Sequence, residues 1–161
     1  NYRLYRKQVP KTEEEEQLLI AQFDVHAVNI SIFEDFVPIV MHNIPLDISD
    51  GEWERKLTKE GRYELNYIGQ AENLSSQFAD TYKEISRLID FYRYTITHGK
   101  KNITKILVTG DHPYIDQIEK EMGERFEQKV MSIDPGKAAP NKGDFPPRTF
   151  NLALGLALKE V

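Results

Sequence analysis

Apolar and polar positions fall into segments of two different periods along the chain. Leu18 to Phe23 is a short apolar run of strand length. Val28, Ile30 and Ile32 then alternate with Asn29, Ser31 and Phe33, the period of a half-buried strand. Glu34-Asp35 fits a tight turn, and Phe36, Val37, Ile39, Val40 and Met41 continue as a third strand. Pro38 has no N–H to give to a ladder, so this strand is expected at a sheet edge or with a bulge. From Pro45 to Gln70 the pattern weakens. Trp53 and Leu57 have helical spacing with Gly61 as a stop, which predicts a short helix. Tyr63, Leu65 and Tyr67 alternate, which predicts a brief strand.

The longest periodic segment runs from about Glu72 to Thr97. Leu74, Phe78, Tyr82, Ile85, Leu88, Ile89, Tyr92 and Ile96 recur at steps of three and four, one stripe of a 3.6-residue helix. At a rise of ~1.5 Å per residue such a helix is about 40 Å long. Gly99 suits its end, where φ turns positive. Ile103 to Val108 then reads as a buried strand, followed by a helix from Pro113 to about Met122, with Ile115, Ile118 and Met122 inward and Gly123 as its terminator. Val130 and Ile133 belong to a short strand. Six Pro and Gly residues between Asp134 and Arg148 make that stretch a loop. Phe150, Leu152, Leu154, Leu156 and Leu158 alternate with small residues and fit either a strand or a tightly packed helix. Three antiparallel strands, a weak insertion, a long helix and then alternating strand and helix predict an α/β fold. Its mixed sheet has about five strands, with flanking helices.

Composition narrows the function. At 161 residues the chain suits one domain, and 40% hydrophobic residues supply a core. Twenty-one basic against 26 acidic residues give a net charge of −5, unsuited to a phosphate backbone, so no nucleic-acid partner is expected. There is no Cys, which excludes disulfides, thiol chemistry and cysteine-ligated metals. No apolar run reaches the ~20 residues of a spanning helix, so no direct membrane insertion is expected. The chain starts at Asn1 without an initiator Met and is expected to be a processed product or a fragment. The acidic run Glu13–Glu16 reads as a solvated turn.

Candidate chemistry is sparse. His26, His42, His98 and His112 show no spacing that pairs ligands on one helix, and no metal site is expected. No serine lies in a Gly-x-Ser-x-Gly turn. Asp24 ends an apolar strand before a turn, where a carboxylate either reaches a cleft or accepts backbone bonds. Thr109-Gly110 ends a buried strand ahead of a helix, where backbone amides can approach an anion or where glycine simply turns the chain. Phe91 and Tyr94 lie off the main stripe of the long helix and are candidates for a partner surface.

Phe23-Asp24-Val25-His26-Ala27, Ile106-Leu107-Val108-Thr109-Gly110 and Leu152-Ala153-Leu154-Gly155-Leu156-Ala157-Leu158 occur in that order, with the long helix containing Leu88-Ile89-Asp90-Phe91-Tyr92 between the first two. Together they resemble the C-terminal half of the PilM family, actin-like cytoplasmic proteins of type IV pilus assembly related in fold to FtsA. The resemblance implies an actin-like, ribonuclease H-like sheet over residues 18–161, after a linker and the tail of a preceding helix in residues 1–17. In the family the second phosphate loop reads Asp-Ile-Gly-Ala with a Thr three residues on. Here Asp24, Val25 and Ala27 match, but His26 replaces the Gly and Ile30 the Thr. The adenosine loop keeps Thr109 and Gly110, but Asp111 stands where a second Gly is expected. The insertion at about 45–70 is shorter than the family's subdomain. These departures imply degenerate remnants of a nucleotide site at Asp24, His26, Thr109, Gly110 and Asp111, with no catalytic residue and no bound cofactor. The chain is then a non-catalytic scaffold of a pilus or competence-type assembly platform, cytoplasmic at the inner face of the membrane. A PilN-like membrane protein would be its partner, through the missing N-terminal half. The alternative is a nucleotide-binding actin-like ATPase domain that acts with that half, where ATP would bind in the full-length protein. A metal-dependent enzyme on a ribonuclease H-like sheet is a third reading, with Asp24 its one nominated carboxylate.

Overall fold

The structure, a computed structural model, describes residues 17–35, 37–59, 61 and 63–132. The expectations for residues 1–16, Phe36, Ile133, the loop 134–148 and the segment 150–158 lie outside these residues. β1 (Gln17–Phe23), β2 (Ala27–Glu34) and β3 (Val37–Pro45) form an antiparallel meander. β6 (Lys105–Gly110) pairs parallel with β1, and β7 (Lys129–Ser132) parallel with β6. The five-stranded mixed sheet therefore has the order β3-β2-β1-β6-β7. Its two central strands, β1 and β6, carry continuous apolar runs because both their faces are buried: Leu18, Leu19, Ile106 and Leu107 are all fully enclosed. β2 alternates instead, with Val28, Ile30 and Ile32 inward.

β3 answers the Pro38 problem in both ways. It is an edge strand, and Ile39 is extra in the register between Ile32↔Val40 and Phe33↔Pro38. The turn before it puts Asp35 at φ 41.

Across the sheet lies α1 (Ala71–Asp90), continued by a π-helical segment, Phe91–Ile96. The predicted helix over 72–97 is thus present with a widened last turn, in which the Thr97 N–H reaches the Tyr92 carbonyl at 3.0 Å. Leu74, Phe78, Tyr82, Ile85, Ile89 and Tyr92 are buried as the stripe requires, while Leu88 and Ile96 pack at its margin. Gly99 takes φ 77 where the chain leaves the helix. The Tyr92 hydroxyl donates to Glu34 at the end of β2, and the Lys101 ammonium lies 3.1 Å from the same carboxylate. These bonds, the Tyr92 bond first, hold the Glu34 carboxyl below its ordinary pKa and fix this end of the helix to the sheet.

Two sequence expectations are corrected. Residues 53–57 form no helix: β4 (Trp53–Leu57) pairs antiparallel with β5 (Tyr63–Tyr67) as a two-stranded ribbon. Spacing of four between Trp53 and Leu57 suits a strand equally, because both residues then share one face. Gly61, at φ 74, serves the ribbon's turn. Gly123 does not end the second helix either. α2 (Ile115–Arg125) runs through it, with Ile118 and Met122 buried on the same side of the sheet as α1.

Candidate functional site

The carboxyl ends of β1 and β6 lie side by side, the place where open α/β sheets offer a crevice. The parallel register closes with Phe23 opposite Gly110. Gly110 has φ 126, and a Cβ there would stand 1.9 Å from the Phe23 carbonyl oxygen. Only glycine fits. The chain then curls over the end of β1, and the His112 N–H bonds the same carbonyl at 3.2 Å. This curl brings Asp111 to Asp24.

Asp24 starts a tight turn through its N–H, which donates to the Ala27 carbonyl at 2.9 Å. Its carboxylate receives side-chain rather than backbone donors: Gln22 Nε2 at 3.2 and 3.3 Å, and Asn29 Nδ2 at 3.3 Å. Asn43 Nδ2 in turn donates to Asn29 Oδ1 at 2.8 Å. Asn43, Asn29, Gln22 and Thr109 occupy one row across four strands, so strand register alone aligns them. The Asp24 carboxyl is pushed above its ordinary pKa. Burial is the main cause, the charge of Asp111 and a hydrogen bond to it add to the rise, and the Gln22 and Asn29 amides oppose it.

The other candidate residues diverge. Thr109 is buried, and its hydroxyl finds no partner among the described residues. His26 is exposed and turns its ring to the segment that follows β3, with Nε2 2.9 Å from Asp50 Oδ1 and Nδ1 3.2 Å from the Ile48 carbonyl. It is not among the residues with positive φ, so the backbone of this loop does not need a glycine there. Phe91 and Tyr94 are exposed, as their position off the stripe requires, with Arg93 stacked 5.1 Å over the Tyr94 ring. They lie near the Glu34 end of the sheet, away from the rim.

Sequence reasoning missed two rim residues. His112 is 1% exposed and meets Trp53 and Phe78 edge-on, at ring distances of 5.6 and 5.2 Å. Its Nδ1 accepts the Tyr114 N–H at 3.2 Å, so its proton sits on Nε2, which has no partner among the described residues; nor has Trp53 Nε1. Burial lowers the imidazole pKa to about 4. The Tyr67 N–H reaches the Tyr114 hydroxyl at 3.3 Å, so the root of the ribbon is seated on the rim. The signal available in sequence was the lone Trp within an alternating polar stretch.

A nucleotide would have to bring phosphate to this rim. Asp24 and Asp111 already crowd one another there, and among the described residues no cation is paired with either. Among the described residues, this rim presents negative charge to a phosphate.

No family model and no curated protein matches the sequence. Solved structures do. One, described as a PilM-PilN type IV pilus biogenesis complex, superposes with a TM-score of 0.61 at 13% identity over 98% of this chain and 48% of that one. Another, described as an Alp12 filament structure, gives 0.53 at 7% identity over 84% of this chain and 48% of that one. The chain spans about half the length of each. At these identities the likeness is one of fold, and the fold is actin-like.

Proposed function

We propose that the chain is a non-catalytic scaffold in a type IV pilus or competence-type assembly platform, an actin-like domain whose nucleotide rim has degenerated. The observation that carries this reading is Asp111 set against Asp24 at the mouth of β1 and β6. Like charges at that point oppose an anionic ligand and favour a domain that works by contact. The structural likeness to a PilM–PilN complex supports the pilus setting. On this reading a PilN-like membrane protein is the partner, met through a preceding half of the protein, and Phe91 and Tyr94 offer a second contact surface. Among the described residues no helix is long and apolar enough to cross a membrane. On this reading the scaffold is held at the inner membrane face by its partners.

The alternative, a nucleotide-binding ATPase domain completed by another half, draws on Gly110, whose close approach to Phe23 keeps the loop geometry a nucleotide site would use. The two readings separate in one experiment. Binding of the full-length protein to purified pilus inner-membrane components is measured with and without ATP and Mg²⁺, and again for the Phe91→Ala/Tyr94→Ala variant. Scaffold function gives nucleotide-independent binding, weakened about tenfold or more by the variant. Binding that disappears without ATP would establish the alternative.

A further inference from the structure

Among the described residues the sheet ends at β3, and this edge carries a surface that neither the pilus reading nor the rim explains. β3 spans nine residues, Val37–Pro45, without a single Asp, Glu, Lys or Arg. Met41 is 76% exposed, and Val37 and Ile39 are exposed beside it. Sheet edges are ordinarily protected by charge, proline or a bulge. Here Pro38 and the bulge at Ile39 guard only the first half, leaving Val40–Ile44 as a regular, uncharged edge. Between this edge and α1 runs an open groove of about 540 Å³.

The helix side of the groove has a charge order that selects the occupant. Asp80, Lys83, Glu84 and Arg87 read acid, base, acid, base along α1. Among the described residues they pair as surface i,i+3 contacts, Lys83–Asp80 and Arg87–Glu84, each at 2.9 Å. Such pairs contribute little and re-pair readily. A two-fold axis perpendicular to the sheet that sets β3 antiparallel to β3 of a second copy also reverses α1 against its mate. The reversed row reads base, acid, base, acid. Asp80 then faces the second copy's Arg87, and Lys83 the second copy's Glu84. An uncharged edge beside a row that complements its own reversal matches another copy of this chain.

We propose that two copies of the chain associate through β3, extending the sheet to ten strands, with the α1 charge rows fixing the register. Sedimentation equilibrium of the chain tests this, together with hydrogen exchange at residues 40–44. The unaltered chain is expected to dimerise and to protect those amides as concentration rises. Lys83→Glu/Arg87→Glu makes the row wholly acidic, and Asp80→Lys/Glu84→Lys makes it wholly basic. Each variant alone should self-associate about tenfold or more weakly, since like charges then meet across the axis. An equal mixture of the two should dimerise as the unaltered chain does, which also shows that both variants fold. A chain that stays monomeric at every concentration overturns the proposal. So do variants that dimerise unimpaired, a mixture that fails to restore association, or protection of 40–44 that appears only when a different protein is added.

Discussion

Between α1 and the sheet, Ile85, Ile30 and Ile106 are enclosed, and the polar atoms that enter are matched. The Thr81 hydroxyl donates to the Gln77 carbonyl at 2.9 Å and the Tyr82 hydroxyl to Glu121 at 3.0 Å. At the carboxyl ends of β1 and β6, a few residues away, two carboxylates face each other, and a buried hydroxyl, imidazole N–H and indole N–H stand without partners among the described residues. Packing explains the first region completely. It does not explain the second, where each unmatched group costs stability. On the proposed reading, conflict concentrated at the crevice of an actin-like sheet is what is left when a binding rim loses its ligand while the scaffold beneath it is kept.

The contrast can be broken most severely at Gly110. Gly110→Ala puts a methyl group into the Phe23 carbonyl, so a loss of more than about 4 kcal/mol, or failure to fold, is expected in urea denaturation. An unchanged midpoint would mean the two strand ends are not joined as described. Next comes the core itself. Ile85→Ala should cost about 3–4 kcal/mol by the same measurement, and Leu88→Ala, at the margin of the stripe, clearly less. Equal losses would deny the difference between stripe and margin.

The rim is sharpened by acid. His112 is held neutral by burial, with a folded pKa of about 4 against an ordinary 6.5. Its contribution is complete above pH 6.5 and is lost as pH falls toward 4, by up to about 3 kcal/mol. Asp24 acts with the opposite sign. Its raised pKa means that folding takes up a proton, so its penalty is absent below the ordinary value of 3.8 and grows as pH rises through the folded pKa. His112→Gln should therefore flatten the acid limb of stability against pH. A limb as steep as in the unaltered chain would show that His112 does not carry it. The smallest effect is the most pointed: Asp111→Asn removes a like charge and should stabilise the protein by a few tenths of a kcal/mol to about 1 kcal/mol at neutral pH, and by less as acid protonates Asp24. Destabilisation at neutral pH would make Asp111 a structural partner of Asp24, not its antagonist.

The sequence pattern carried the sheet and the long helix because both are periodic and buried. Val28, Ile30 and Ile32 alternate, and the Leu74-to-Tyr92 stripe admits no other element. The π-helical segment was not legible, since steps of three and four read alike whether the last turn is α or widened. β4 was misread because four of its five residues are exposed, so cross-strand pairing with β5 holds it and not burial. Of the rim, Asp24, Thr109, Gly110 and Asp111 were visible as strand-end residues. Their conflict was not, because it depends on the parallel pairing of β1 with β6, some 80 residues apart in sequence. His112 looked like any strand-end histidine until the ribbon closed over it.

The central claim is that this rim no longer accepts a nucleotide, and calorimetric titration of the chain with ATP and Mg²⁺ addresses it most directly. The Asp24–Asp111 confrontation predicts no saturable heat at millimolar ATP. It also predicts none for the His26→Gly/Asp111→Gly pair, because the short 45–70 ribbon still leaves the ligand little surface to bury. A dissociation constant below ~10 μM for the unaltered chain, equivalent to roughly −7 kcal/mol, would contradict the account.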